Sequence, residues 1–458
     1  MNIMLVSLRG PREKAFPLGL AHVAASLRRA GHGVLGLDLS FDAARLPGVV
    51  ADFRPDLVGV TVRCDTWAEV PGVARAVIDA AAAGRGAGAA PAFVFGGPGA
   101  LTPGPDGPAA AAALAGLGVS AYLVAGDGEA AAVELARALE AGETALPAGV
   151  AALGDGQPWP APAPQLLVDV DHPGADYTLF PLRRYSGRGT LSRRHPYAPL
   201  VTSRGCAHDC PFCTAPRLGG GRWRPRSPSA VVEEMGLLAQ RFGVRDVHIE
   251  DDDFLHDPDR VEELCDRLAR RSLDLVFECM NGARPDHLPG RVIRALRRGG
   301  CATVTLGIEG LNPAAECALG RPLDEREVRA LVSALHAAGL SAGGYFMLGL
   351  PGEGLDEARQ TVRAALRLDL DLAQFSLFRP LPGSAWEAAP PAGGAGVAGA
   401  TGADGHANGF DRLRRSAFLR FYLRPRALRA VASRLSRPTV DVVLARIFSV
   451  LGGAEDGH

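Results

Sequence analysis

Short apolar runs alternating with helix-length stretches impose the strongest limit on how this chain can fold. Five such runs lie in the first third: Ile3–Leu8, Val34–Leu39, Leu57–Val62, Ala92–Phe95 and Ala121–Val124. Helical patterns fill the gaps, around Leu20–Arg29, Glu69–Ala82, Ala109–Ala115 and Glu129–Leu139. Six more apolar runs follow: Leu200–Ser203, Val244–Glu250, Leu273–Cys279, Ala302–Ile308, Leu340–Leu348 and Gln374–Phe378. Their starts recur about every thirty to forty residues, as strand–helix–strand units require. Such units pair their strands in parallel. The first set predicts a doubly wound sheet and the second a partial (β/α)6 barrel. In both architectures functional groups gather at the carboxyl ends of the strands.

Composition sets the boundaries between these parts. Residues 143–165 are rich in Gly, Ala and Pro, and 143–195 reads as a linker. Residues 386–409 form a second low-complexity tract with almost no large apolar residues, expected to be disordered. The expected organisation is therefore a domain over 1–142, a linker, a core over 196–385, the disordered tract, and a helical segment over 410–458. The arginines of that last segment, among them Arg412, Arg414, Arg424 and Arg426, read as a solvated helix face.

The formal net charge of −1 shows no basic excess and argues against nucleic acid as a partner. No apolar run approaches the ~20 residues that span a bilayer. The start, Met1-Asn2-Ile3-Met4-Leu5-Val6, reads as a strand and not a signal peptide, so a cytoplasmic location is expected. Lys14 is the only lysine, which leaves little room for Schiff-base chemistry. Eight cysteines in 458 residues are too few for a disulfide scaffold. Cys64, Cys265, Cys279, Cys301 and Cys317 read as small buried apolar residues.

The other three cysteines are grouped. Cys206-Ala-His-Asp-Cys210-Pro-Phe-Cys213 is a C-x3-C-x2-C loop directly after the first strand of the second set. A [4Fe–4S] cluster normally takes four thiolates, so three would leave one iron free to bind something else. A structural zinc site would need a fourth ligand at its own tight spacing. His208 lies in the loop, but no second C-x-x-C or H-x3-H pair follows.

On these residues the chain resembles the radical S-adenosylmethionine (SAM) enzymes, with Phe212 as the aromatic before the last cysteine. The resemblance implies that Cys206, Cys210 and Cys213 hold a [4Fe–4S] cluster whose free iron chelates SAM. It also assigns SAM contacts at later strand ends. Asp251 or Asp252, within Glu250-Asp251-Asp252-Asp253, would meet the amino group. Four adjacent carboxylates are costly to hold together unless a cation or donor meets them; a solvated acidic turn is the alternative. Glu309, in Gly307-Ile308-Glu309-Gly310, would meet the ribose or methionine end, although Gly310 stands where the family often has serine. Arg321 would approach the carboxylate. Gly349 and Pro351, in Gly349-Leu350-Pro351-Gly352-Glu353, would offer backbone to the adenine.

The first domain resembles the cobalamin-binding domain that precedes many radical SAM cores. The features are Pro17-Leu18-Gly19-Leu20, Asp38 ending the second strand, Pro55-Asp56-Leu57-Val58-Gly59, Gly96-Gly97-Pro98, and Gly126-Asp127-Gly128-Glu129. Leu18, Gly19, Thr61, Arg63, Gly96, Gly97, Gly126 and Glu129 are the implied cobalamin contacts. Glycines there let a backbone approach a flat ligand. The D-x-H-x-x-G motif is absent, so a lower cobalt face without histidine is expected, with Arg63, Cys64, Asp65 and Thr66 nearby. There is also no G-x-G-x-x-G after the first strand and no P-loop.

The implied fold class is thus α/β: a flavodoxin-like (Rossmann-type) cobalamin-binding domain, a partial (β/α)6 radical SAM barrel and a short helical C-terminal tail. The implied cofactors are the [4Fe–4S] cluster, SAM and cobalamin. The implied activity is methylation of an unactivated carbon of a small-molecule, natural-product intermediate, through a 5′-deoxyadenosyl radical and methylcobalamin. A low-potential donor such as flavodoxin or ferredoxin would supply the electron. The competing expectations are radical ring rearrangement or cyclisation without methyl transfer, and a non-catalytic iron–sulfur sensing or binding protein.

Overall fold

The computed structural model describes residues 1–8, 15–85, 90–154, 159, 162–171, 174–185, 192–388 and 405–434. Lys14, most of the low-complexity tract (389–404) and residues 435–458 lie outside them. The chain divides into two compact units at Gly189/Thr190, with the short stretch Arg217–Gly220 belonging to the first. Among the described residues no helix is long and apolar enough to cross a membrane.

The first unit is a six-stranded sheet: β1 (Asn2–Ser7), β2 (Gly33–Asp38), β3 (Leu57–Thr61), β4 (Ala92–Gly96), β5 (Ala121–Val124) and β6 (Val150–Ala152). Its order is β2-β1-β3-β4-β5-β6. The first five strands are parallel, and β6 runs antiparallel to β5. Connections step outward from β1 to β2, then cross back to β3, so the order reverses between β1 and β3. That switch opens a crevice at the strands' carboxyl ends. Phe93 and Phe95 of β4 stack with centroids 6.3 Å apart, and buried Trp67 packs on Phe95 at 5.3 Å. The Trp67 indole N–H reaches the Gly99 carbonyl at 3.0 Å, so this large side chain leaves no buried donor unpaired.

Part of the expected linker is built into this unit. Beyond β6, Gln165 donates to the Ala125 carbonyl (3.0 Å) and accepts from the Asp127 N–H (2.7 Å). Residues 174–185 lie over β2: a Cβ at Gly36 would come within 2.7 Å of Leu179, and Tyr185 donates to the Asp38 carboxylate at 2.9 Å. Phe16, Tyr177, Phe180 and Tyr185 pack with ring centroids 5.4–5.9 Å from Phe16. Low overall hydrophobicity hid these few aromatic anchors.

The second unit carries six successive parallel strands: β7 (Tyr197–Leu200), β10 (Asp246–Ile249), β11 (Val276–Ala283), β12 (Cys301–Glu309), β13 (Ser341–Leu348) and β14 (Leu372–Leu377). A two-stranded ribbon, β8 (Ser203–Arg204) with β9 (Arg224–Pro225), interrupts the first crossover. Each crossover moves one strand along, which produces an open six-unit barrel. Strand β12 is buried from Cys301 to Ile308, as parallel strands covered on both faces are. Cys265, Cys279 and Cys301 are buried in this unit, as expected, but Cys317 faces solvent and Cys64 is half-buried in the turn after β3.

At the amino ends of the barrel strands sits a buried charged cluster. Arg434, 1% exposed, donates to Thr303 Oγ1 at 2.6 Å and lies 3.5 Å from the fully buried Glu278 carboxylate. Asp246 accepts the backbone N–H groups of Arg193 (2.6 Å) and Arg194 (3.1 Å). Two buried carboxylates therefore meet the guanidinium of Arg434 and the backbone of Arg193, whose own guanidinium reaches Ser341 Oγ at 2.7 Å. The helices Gly405–Tyr422 and Pro425–Ala432 carry the chain to Arg434. Arg424 on this path donates to the Leu366 and Leu370 carbonyls, and Arg426 pairs with Asp369 and Asp371. These arginines fasten the C-terminal helices to the unit and do not form a solvated face.

Removing one partner of a buried pair strands the other's charge. Arg434→Met is expected to destabilise the protein by about 3–5 kcal/mol in urea unfolding. Adding Glu278→Gln should recover most of that loss. A double variant no more stable than the single one would reject the pairing.

Candidate active site

The carboxyl ends of the barrel strands bring together most of the sequence-predicted residues. The strand β7 ends at Leu200, and Thr202 and Ser203 lead into the cysteine loop. Asp251, just past β10, is 2% exposed and accepts three bonds from that lead-in: the Thr202 N–H (2.5 Å), the Thr202 hydroxyl (2.6 Å) and the Ser203 hydroxyl (2.6 Å). Burial pushes its carboxyl up, and these donors pull it back. Its oxygens are therefore spent on the chain itself, which favours Asp252 over Asp251 for a ligand contact. The Asp252 side chain is exposed at the strand end and takes a backbone bond from Gly205.

The three loop cysteines are free thiols. The His208 N–H points to Cys206 Sγ at 3.5 Å and the Ala215 N–H to Cys213 Sγ at 3.4 Å. The turn is closed by Cys213 N–H to the Cys210 carbonyl at 3.0 Å. Burial pushes the Cys206 thiol up to about 11 and raises Cys210 and Cys213 as well. Three sulfurs on one loop, two of them facing backbone donors, fit a thiolate-ligated iron–sulfur cluster. His208 shares a small donor group with Cys206 and Asp253, whose ligand atoms lie within 4.8 Å of one another, but that group takes in only one of the three loop thiols; its Nδ1 lies 3.4 Å from Arg284 and its Nε2 3.1 Å from Asp253.

Glu309 terminates β12 in a strained way. The pairing of β12 with β13 skips from Gly307↔Tyr345 to Glu309↔Phe346, so Ile308 is a bulge residue. Glu309 itself sits at φ 64°, a conformation costing of order 1–3 kcal/mol. Burial raises its carboxyl to about 7, with Arg321 drawing it partly back. Arg321 in turn donates to the Gly307 carbonyl at 2.9 Å. A Cβ at Gly310 would lie 2.5 Å from the Ala315 Cβ, which explains why serine is not found there.

The turn after β13 departs from its expected use. Glu353 accepts the N–H groups of Gly349 (2.5 Å) and Leu350 (3.1 Å) and takes a bond from Asn312 at 2.7 Å. Those two donors are thus unavailable to a ligand, and Gly349 and Pro351 present only carbonyl and apolar surface. Glu353, quoted in the turn motif, and Asn312, which the motif does not include, hold the turn in place. Phe212 packs beside this turn in a cluster with Leu350, Phe378 and Trp386.

In the first unit Thr61, Arg63, Gly96, Gly97 and Gly126 lie at the carboxyl ends of β3, β4 and β5. Leu18 and Gly19 open the helix after β1, and Glu129 lies in the first turn of the helix after β5. Arg63 is held in a fork by Asp65 (3.0 and 2.7 Å). The glycines divide in role. A Cβ at Gly19 or Gly96 would meet nothing within 4 Å, leaving open space for a flat group. A Cβ at Gly97 would instead lie 2.9 Å from the Val62 carbonyl, and one at Gly126, at φ 87°, only 2.2 Å from the Gln165 carbonyl. Of the two early histidines, His22 is buried within 4.0 Å of Glu129, and His32 precedes β2 at the opposite edge of the sheet.

The carboxyl of Glu309 gives a pH test. Its folded pKa lies above the unfolded one, so its contribution to stability is full below about 4.5 and is lost as pH rises through about 7. Glu309→Gln removes that loss. In thermal melts of the ligand-free protein the variant should match wild type near pH 5 and exceed it near pH 8. A gap that does not widen with pH would contradict the burial of this carboxyl.

Comparison with known proteins agrees with this arrangement. The Radical SAM superfamily pattern matches residues 200–365. An uncharacterized methyltransferase, PH0819, of Pyrococcus horikoshii is 30% identical over 380 residues, covering 81% of this chain and 78% of that protein. The cytidylyl-2-hydroxyethylphosphonate methyltransferase of Streptomyces wedmorensis is 27% identical over 45% of this chain and 39% of its own length. The radical SAM methyltransferase TsrM from Kitasatospora setae, solved with cobalamin and a [4Fe–4S] cluster bound, shares the fold. Its TM-score is 0.63 at 23% identity, over 84% of this chain and 76% of that one. With three thiols on the loop after the first barrel strand and a relative matched along most of its length, the chain belongs to the radical SAM superfamily of enzymes, which use a [4Fe–4S] cluster and SAM.

Proposed function

We propose that this protein is a cobalamin-dependent radical SAM methyltransferase acting on an unactivated carbon of a small molecule, a natural-product intermediate. The observation that carries this reading is the pairing, in one chain, of the three-thiol barrel with a doubly wound sheet whose carboxyl edge is left open at Gly19 and Gly96. The fold shared with cobalamin-bound TsrM and the methyltransferase names of the relatives support it. When bound, the cluster with SAM supplies one-electron chemistry that creates a carbon radical, and cobalamin supplies a methyl donor.

The chain's own residues position and shield these groups. Cys206, Cys210 and Cys213 hold the cluster. Asp252 and Glu309 meet the cationic ammonium and the ribose side of SAM, and Arg321 faces its carboxylate. A Glu309 carboxyl near pH 7 ionises readily when a cation arrives, so binding and deprotonation reinforce each other. Phe212 and Pro351 would offer apolar surface to the adenine, with the buried Leu350 packed behind them. At the first unit Thr61 and the Asp65-clamped Arg63 would be among the residues that hold cobalamin, without a histidine. The protein works in the reducing cytoplasm, with flavodoxin or ferredoxin as electron donor. Carbon-centred transfer requires no general base, and positioning with exclusion of water is the protein's main contribution.

Anaerobic reconstitution with iron, sulfide and cobalamin, followed by mass spectrometry of SAM products, tests this reading. Wild type should release 5′-deoxyadenosine and move label from methyl-labelled SAM to the bound corrinoid. Cys206→Ala, Cys210→Ala and Cys213→Ala should each abolish deoxyadenosine release. Deoxyadenosine without any methyl transfer would favour rearrangement or cyclisation. Cleavage that persists in the cysteine variants would reject the assigned ligands.

A further inference from the structure

We propose that His208 is a positioning residue that clasps the Cys206–Cys210 half of the cluster loop to the ends of two neighbouring barrel strands. The inference rests on the reading of this loop as the cluster site. Between Cys206 and Cys210 the loop has only Ala207, His208 and Asp209, and none of them lies in a strand or helix. Among the described residues, the His208 imidazole is the side chain of these three seen to reach across to other strand ends. Its Nε2 lies 3.1 Å from Asp253 Oδ2, beyond β10, and its Nδ1 lies 3.4 Å from Arg284 Nη1, beyond β11.

Both anchors are themselves fixed. Asp253 Oδ2 also meets His256 Nδ1 at 3.0 Å, and the Asp253 carbonyl accepts the Trp223 indole N–H at 3.0 Å. The Trp223 and His256 rings are 4.6 Å apart. Arg284 is gripped in a fork by Asp286 at 3.2 and 2.6 Å. The His287 ring closes the far side of His208 at 5.1 Å. An imidazole set between a carboxylate, in close contact but without hydrogen-bond geometry, and a guanidinium held by Asp286 is restrained in orientation, and the loop backbone is restrained with it. His208 also directs its own N–H at Cys206 Sγ. Fixing the side chain therefore fixes a donor to a cluster sulfur, and such outer contacts tune and retain a metal centre. This gives the third carboxylate of the Asp251-Asp252-Asp253 run a task distinct from its neighbours.

The test uses full-length protein reconstituted anaerobically, with iron release to a chelator and the electron paramagnetic resonance of the reduced cluster as readouts. His208→Ala is expected to lose iron about tenfold faster than wild type, within the range found for outer-shell changes at metal sites. Its reduced-cluster signal should broaden or shift. His208→Gln, which can still donate toward Asp253, should recover part of the difference. Arg298→Ala, on an exposed helix face, should behave as wild type. Should His208→Ala fail to fold, Asp253→Asn asks the same question with little change of shape, and it too should lose iron faster. Iron retention and spectra equal to wild type in a folded His208→Ala or Asp253→Asn protein would overturn the clasp. Absence of any cluster in wild type would instead reject the cluster reading itself, so the two failures are separable.

Discussion

The buried carboxylate of Asp251 is the contact on which the reactive end of the barrel depends. It ties the lead-in to the cysteine loop to the end of β10 through three donors, and neighbouring groups extend the tie. Asn281 donates to the Asp251 carbonyl at 3.2 Å, which brings in β11. Arg260 donates to the Thr202 carbonyl at 2.6 Å and to the Arg226 carbonyl at 3.0 Å. Arg226 returns to the Val201 carbonyl at 2.9 Å and pairs with buried Glu234 at 2.6 Å. Many of the polar groups taken from water here find partners close by, and connected networks of this kind favour one geometry. A loop that must present three sulfurs to one cluster needs such a foundation.

The same logic explains why four consecutive carboxyl residues, Glu250 to Asp253, do not act alike. Side chains alternate and diverge at a strand end, so each meets a different neighbour. Asp251 points into the protein and holds the loop, and Asp253 meets two imidazoles. Asp252 is left at the mouth. The distribution also lowers the cost of the run, because no two of these charges serve the same donor. At the opposite corner Glu309 is pressed into a left-handed conformation by a bulge and drawn toward Arg321. Its energy is raised before any ligand arrives, which is how a site stores readiness for a cation.

Much of this was readable in the sequence, for identifiable reasons. Parallel strands covered on both faces are written as dense apolar runs, so β1 to β5 and β7 to β14, the short β8–β9 ribbon excepted, were found within a few residues of their observed ends. Strand ends carry the polar and glycine residues, so Cys206, Asp252 and Glu309 fall at the carboxyl ends of the barrel strands, while Arg321, between two helices, reaches the Gly307 carbonyl. What could not be read was which partner a side chain chooses. Glu353 looked like part of a ligand turn and instead caps that turn. Gly126 looked like a ligand approach and instead admits Gln165. Asp251 and Asp252 look alike until burial separates them. The segment 143–185 looked like a connector because its few anchors, Gln165, Leu179 and Tyr185, act through partners more than a hundred residues away or through backbone alone.

The two ends of the barrel show how parallel strands divide labour. All six strands run the same way, so their amino ends meet on one side and their carboxyl ends on the other. On the amino side the charges are internal, with Glu278 against Arg434 and Asp246 capped by the backbone of Arg193 and Arg194. On the carboxyl side burial raises the three thiols, it raises the Glu309 carboxyl to about 7, and Arg321 donates to the Gly307 carbonyl. Buried charge is met by the chain's own groups on the amino side and less so on the carboxyl side. A site that meets a sulfonium, an ammonium and a carboxylate gains most from that imbalance, because the ligand then supplies the counter-charges that the folded chain lacks.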